Sequence, residues 1–241
     1  MFDPHDIARF TVVTGHYGCG KTNLSINLAL DLARTHDEVM LVDLDIVNPY
    51  FRSSDYIAML DAHGVRVISP TFAGTTLDTP SLSAAVHGAF DTAGAVVFDV
   101  GGDDVGATAL GRYAKEISAI DHQMLYVINR YRNLTGGPHE AAALLAEIEA
   151  ACHLRATGVV NNSHLKGETT AVTVLDSMPF ARETAALLGL PLVFTTVPER
   201  FAAELGSGPR DAEPVENAYP IKIHVRTPWE DAFPGGDEES R

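Results

Sequence analysis

Gly15-His16-Tyr17-Gly18-Cys19-Gly20-Lys21-Thr22 matches the pattern G-x-x-x-x-G-K-[ST], whose residue types and spacing suit the grip of a polyphosphate. Its glycines let successive backbone N–H groups turn inward around phosphate oxygens, and the start of a following helix adds partial positive charge. Lys21 is placed to reach the β- and γ-phosphates, and the Thr22 hydroxyl to ligate Mg²⁺. Gly15 through Asn23 are therefore candidate nucleotide-binding residues, with Lys21 also a candidate catalytic one. The alternative is a glycine-rich turn that carries Lys-Thr by chance, and the flanks argue against it. Residues 10–14 form a β-branched run typical of a buried strand, and residues 23–33 read as a helix with Leu24, Leu28 and Leu32 on one face.

In open parallel sheets ligands bind at the carboxyl ends of the strands, so further polar residues are expected there. One candidate strand ends in Asp43-Leu44-Asp45 and another in Asp99-Val100-Gly101-Gly102-Asp103-Asp104. Asp99 is suited to hold Mg²⁺ through water, and the Gly101 or Gly102 N–H can approach a γ-phosphate with no Cβ in the way. Asp45 is the candidate that polarises an attacking water, with Asp43 its competitor. Thr22, Asp99 and Asp45 are the candidate Mg²⁺ residues. An Asp after a strand is also a common turn cap; the joint occurrence in this order favours the chemical reading.

The elements that must position these groups alternate along the chain. Strands are expected at 10–14, 39–43, 65–69, 95–99, 123–129, 156–161 and 192–197, and helices at 23–35, 54–63, 110–119, 138–151 and 172–188. The strand segments are near-continuous apolar runs, as in a sheet buried on both faces. The fold class expected is α/β, a three-layer, doubly wound, mostly parallel sheet. One nucleotide-binding domain over residues 1–228 and an acidic, flexible tail over 229–241 are expected.

The chain has 241 residues and a formal net charge of −15. Such acidity disfavours binding to a nucleic-acid backbone. No apolar run approaches the roughly 18–20 residues that cross a bilayer, and the first residues lack a signal peptide's basic start and apolar stretch, so a cytoplasmic protein is expected. The two cysteines, Cys19 and Cys152, have no metal-site spacing. His63, His87, His122, His139, His153 and His164 are scattered and read as surface or satisfied core residues.

The order GHYGCGKT, VDLDIVNP, VVFDVGGDD resembles the deviant phosphate-loop ATPases, the MinD/ParA-like group that shares a superclass with the nitrogenase iron protein. The resemblance runs from about Phe10 to about Arg200 and implies a SIMIBI-like P-loop NTPase fold, with ATP and Mg²⁺ as cofactors. It maps Asp43 and Asp45 to the first switch and Asp99 to Asp103 to the second. By the same resemblance Asn162, in Val160-Asn161-Asn162-Ser163, recognises adenine, with a turn-capping Asn as the alternative, and Pro198 flanks the base. It implies a homodimer and/or a protein partner.

The chain departs from this family at one position. Members that dimerise face to face carry a second lysine after the first loop glycine; here that residue is His16, followed by Tyr17. Arg52 is a possible internal substitute, and Tyr50 and Phe51 either contact a partner or pack as core. No cysteine pair is placed for an iron–sulfur cluster, and no basic amphipathic helix targets a membrane. The expected function is a Mg²⁺-dependent ATPase that acts as a nucleotide-switched regulator or accessory factor for a partner. The alternatives are a phosphotransferase or ligase using Thr75-Thr76 or His16, and a nucleotide-binding module with negligible turnover.

Overall fold

The apolar runs fold side by side. In a computed structural model, which describes residues 1–45, 56–69, 83–102, 104–133, 135–207 and 214–225, eight strands form one sheet. They are β1 Phe10–Gly15, β2 Val39–Asp43, β3 Val65–Ile68, β4 Ala95–Asp99, β5 Gln123–Ile128, β6 Gly158–Asn161, β7 Leu192–Pro198 and β8 Ala218–Ile221. Their order is β3-β2-β4-β1-β5-β6-β7-β8, and every pairing is parallel.

Both faces are covered, which is why β1, β2 and β4 are buried at every position. Val13, Val39, Leu41 and Val97 pack on one face against Leu24, Leu28 and Leu32 of α1, Lys21–Leu32. The alternate residues Val12, Met40, Val42 and Phe98 face Leu110 of α4, Asp104–Gly111, and Ile117 of α5, Ala114–Ser118. The same face carries α6, Pro138–Cys152, and α7, Ala171–Leu188, over Tyr126, Ile128 and Val159. The expected three-layer α/β architecture is present.

Some elements differ from expectation. The helix expected at 110–119 is two, broken at Arg112–Tyr113, and α4 begins earlier; a Cβ on Gly111 would stand 3.0 Å from the Ala151 carbonyl oxygen, so α4 and α6 meet closely there. The helix expected at 54–63 is described as α2, Ile57–Asp61. Three elements were not expected: α3, Ser83–Asp91, α8, Ala202–Ser207, and the edge strand β8. Pro220 conceals β8 as a strand, because proline lacks a ladder donor and is confined to edges.

Strand order makes the crevice. From β1 the chain crosses to β2, and β4 returns beside β1 before the chain crosses to β5 on the other side. That reversal at β1 is a topological switch point, where open α/β sheets bind ligands.

Candidate functional site

Gly15 closes β1, and the chain turns through His16, Tyr17, Gly18, Cys19 and Gly20 into Lys21, the first residue of α1. Gly18 and Gly20 have φ of 74° and 89°, left-handed values that favour glycine. At Gly20 there is also no room: a Cβ would stand 2.4 Å from Asn162 Nδ2. Lys21 is buried, and its Nζ donates to the His16 carbonyl at 3.0 Å, so the ammonium folds back across the loop. Thr22 and Asn23 follow in the first turn of α1. Burial pushes the Cys19 thiol above its ordinary range, which makes it unreactive.

The carboxylates converge because β1, β2 and β4 are neighbours. Asp99 lies in register with Val13 on one side and with Asp43 on the other. Both carboxylates are buried. Ser25, one turn beyond Thr22, donates from Oγ to Asp99 Oδ1 at 3.1 Å, tying that carboxylate to the helix turn that carries Thr22. Asp43 Oδ1 accepts from the Asp45 N–H at 3.0 Å. Asp43 thus braces its neighbour, while Asp45 lines the cavity with Lys21 and Thr22. The turn after β4 lies directly on the phosphate loop: a Cβ on Gly102 would stand 2.5 Å from Tyr17 N and 2.7 Å from Lys21 Nζ.

These donors are a hydroxyl and carboxylates, the oxygen ligands that suit Mg²⁺, which keeps several waters and takes phosphate oxygens besides. No cluster of three or more His, Cys, Asp or Glu among the described residues could hold a metal unaided. A hydroxyl with supporting carboxylates therefore fits a cation brought in with a nucleotide.

A cavity of about 240 Å³ runs from the loop to Pro198. Its wall includes Tyr17, Arg132, Asn162, Ser163, His164, Lys166, Thr196 and, at and beyond β8, Ile221, Ile223 and Val225. Asn162, the residue expected to read the base, lines it, but its amide is engaged within the protein. Nδ2 donates to the Cys19 carbonyl at 2.7 Å, and Oδ1 accepts from Thr196 Oγ1 at 2.6 Å. Asn162 thus braces the loop while also lining the cavity. The Asn23 side chain is likewise turned to the segment after β8, donating to the Lys222 carbonyl and accepting from the N–H groups of His224 and Val225.

Two histidines stand at the site. Burial pushes His16 below the ordinary range, aided by Lys21 and Arg132 and opposed by its hydrogen bond to the Tyr17 carbonyl. His164 is not a surface or core residue but a wall of the cavity. Burial first, then Arg132 and Lys166, lowers it to about 4. Its Nδ1 accepts from the Lys166 N–H at 3.2 Å, leaving the proton on Nε2 beside Gly20.

Arg132, His164, Thr196 and the segment after β8 were missed from the sequence. The available signal was position alone: Arg132 and His164 each follow the end of a strand. Tyr50, Phe51, Arg52, Thr75, Thr76, Asp103 and the acidic tail lie outside the described residues.

The family model of the CobQ/CobB/MinD/ParA nucleotide binding domain matches residues 10–172. No curated protein matches. The fold is similar to that of FtsY from Mycoplasma mycoides, with a TM-score of 0.56 and 16% identity over 82% of this chain and 62% of that one. Cell division protein FtsY from Thermotoga maritima gives a TM-score of 0.54 and 22% identity over 80% and 63%. The signal recognition particle 54 kDa protein from Aeropyrum pernix, solved with GDP, gives 0.53 and 16% over 80% and 42%. This chain thus spans less than two thirds of the length of each of these solved relatives.

Proposed function

This chain belongs to the CobQ/CobB/MinD/ParA nucleotide-binding family, and we propose that it is a Mg²⁺-dependent ATPase whose hydrolysis switches its contacts with a second copy of itself or with a protein partner. The observation that carries the reading is the buried Lys21 ammonium, folded over left-handed glycines at the mouth of the cavity, with Asp45 beside it.

Loop N–H groups and Lys21 hold the phosphates, and Asp45 orients the attacking water. Thr22 and Asp99 would hold Mg²⁺, which when bound supplies charge neutralisation at the β- and γ-phosphates. Contact between the Gly102 turn and the loop supports a switch, since a change at the γ-phosphate is felt there directly. Tyr17 and Val105, exposed and near that contact, support docking of a second copy or a partner on this face. Adenine is favoured by the far end of the cavity. Pro198, Ile221, Ile223 and Val225 are apolar, and Asp45, at the phosphate end, is the one carboxylate among the described wall residues. The N1–H and N2–H₂ donors of guanine therefore have no anionic acceptor there.

Titration of the full chain with a fluorescent ATP analogue in Mg²⁺, competed by ATP or GTP, tests the reading. Saturable binding displaced by ATP in preference to GTP, and weakened about tenfold or more by Lys21→Ala, is expected. Binding indifferent to Lys21→Ala overturns it.

A further inference from the structure

Arg132 stands in the turn after β5, and β5 pairs with β1, so that turn rises beside the phosphate loop. The turn is rigidly held. The Arg132 N–H donates to the Asn129 carbonyl at 3.3 Å, the Tyr131 N–H to Asn129 Oδ1 at 3.0 Å, and the Arg130 N–H to Ser163 Oγ at 3.0 Å. From it the guanidinium reaches the loop, its Cζ 3.2 Å from where a Gly18 Cβ would stand. It lines the cavity that Lys21 lines.

Its Nε–H is buried and has no hydrogen-bond partner. Arg132 takes part in none of the ion pairs among the described residues. An unpaired buried donor is costly, and more so when charged, so a rigid turn that aims one at a phosphate loop calls for an anion. The neighbouring Arg130 differs: its guanidinium is engaged with the Asp176 carbonyl. His16 stands in the position of the family's second lysine, but its ring is shorter than a lysine side chain, and burial, Lys21 and Arg132 all work against its protonation.

We propose that Arg132 is a second phosphate-binding cation supplied in cis, its guanidinium donating to the polyphosphate across the loop from Lys21. The proposal deepens the ATPase reading and rests on it. In hydrolysis the water oxygen bonds to the γ-phosphorus as the bond from that phosphorus to the β–γ bridging oxygen breaks. The electron pair stays on ADP, and the water proton passes to the inorganic phosphate. Negative charge gathers on the leaving oxygen and the β-phosphate, and a fixed guanidinium beside Gly18 neutralises it with no reorganisation. The chain then has no need of a partner's lysine for this charge.

The experiment compares the full chain with Arg132→Ala, Arg132→Lys and, as control, Arg130→Ala. It measures Kd for ATP, ADP and AMP and phosphate release in Mg²⁺, with circular dichroism melts to report folding. Arg132→Ala is expected to lower phosphate release by about 10²-fold or more and to weaken ATP and ADP about tenfold or more while leaving AMP nearly unchanged. Arg132→Lys should recover most of the affinity but little of the rate, because an ammonium lacks the planar fork, and it decides the matter if Arg132→Ala does not fold. Arg130→Ala should match the wild type. If the wild type binds ATP through Lys21 and both Arg132 variants bind and release phosphate as it does, the assignment of Arg132 is overturned and the ATPase reading stands. If the wild type binds no nucleoside triphosphate, both fall.

Discussion

Asn162 and His164 stand against the phosphate loop, at Cys19 and Gly20. A family resemblance assigned Asn162 to the base, yet one of its N–H groups holds the Cys19 carbonyl and its oxygen holds Thr196. A residue type cannot reveal which of its hydrogen bonds the fold will use. His164 carries a measurable consequence. Its pKa of about 4 in the folded protein lies below the ordinary 6.5, so the unfolded chain takes up the proton first as pH falls. The stability from the neutral ring is complete above about pH 6.5 and is lost as pH falls toward 4, to an upper bound of about 3 kcal/mol. Urea midpoints from pH 7 to pH 4 should fall less steeply for His164→Gln than for the wild type. Parallel curves would refute this account.

Among the elements, the segment after β8 closes the apolar end of the cavity with Ile223 and Val225. Asn27 clasps it, donating from Nδ2 to the Lys222 carbonyl and accepting at Oδ1 from the Lys222 N–H, both at 2.9 Å, while Asn23 holds His224 and Val225. These two asparagines lie one turn apart on α1, so the helix that carries Lys21 also carries the far wall, Ile223 and Val225. Asn27→Ala should cost about 1–3 kcal/mol and weaken nucleotide binding several-fold, with the loss falling on adenosine as much as on ATP. A variant that loses affinity for ATP alone would show that the wall does not touch the base. Little of this was legible in the sequence. Asn23 reads as a nucleotide-binding residue and Asn27 only as part of the helix expected at 23–35. The partner that explains the asparagines lies about two hundred positions further along the chain.

For the whole molecule, the sheet transmits stability to the site because α1 is both a layer of the core and the mount of the loop. Leu28 is fully buried in the cluster that joins α1 to Val13, Leu41 and Val97. Leu28→Ala should cost about 2–5 kcal/mol without removing any group from the cavity. ATP at about 100 times its Kd should return about 2.7 kcal/mol to the variant and the wild type alike. Urea unfolding with and without Mg²⁺-ATP measures both; a nucleotide effect in the wild type alone would mean that the loop had moved with the core.

By itself the sequence determined the loop, Lys21 and Thr22, the carboxylates at the strand ends and the layered α/β class. Each of these is local: a spacing, a periodicity, or an apolar run closing on an Asp. The tertiary structure decided what strand order decides. Placing β4 and β5 on either side of β1 sets Asp99 behind the loop and Arg132 beside it, and it half-buries His16, which lowers the affinity of the ring for a proton. The chain writes Arg132 more than a hundred residues after Gly18. Parallel pairing through crossovers, a long-range property, is what brings a guanidinium against a glycine there.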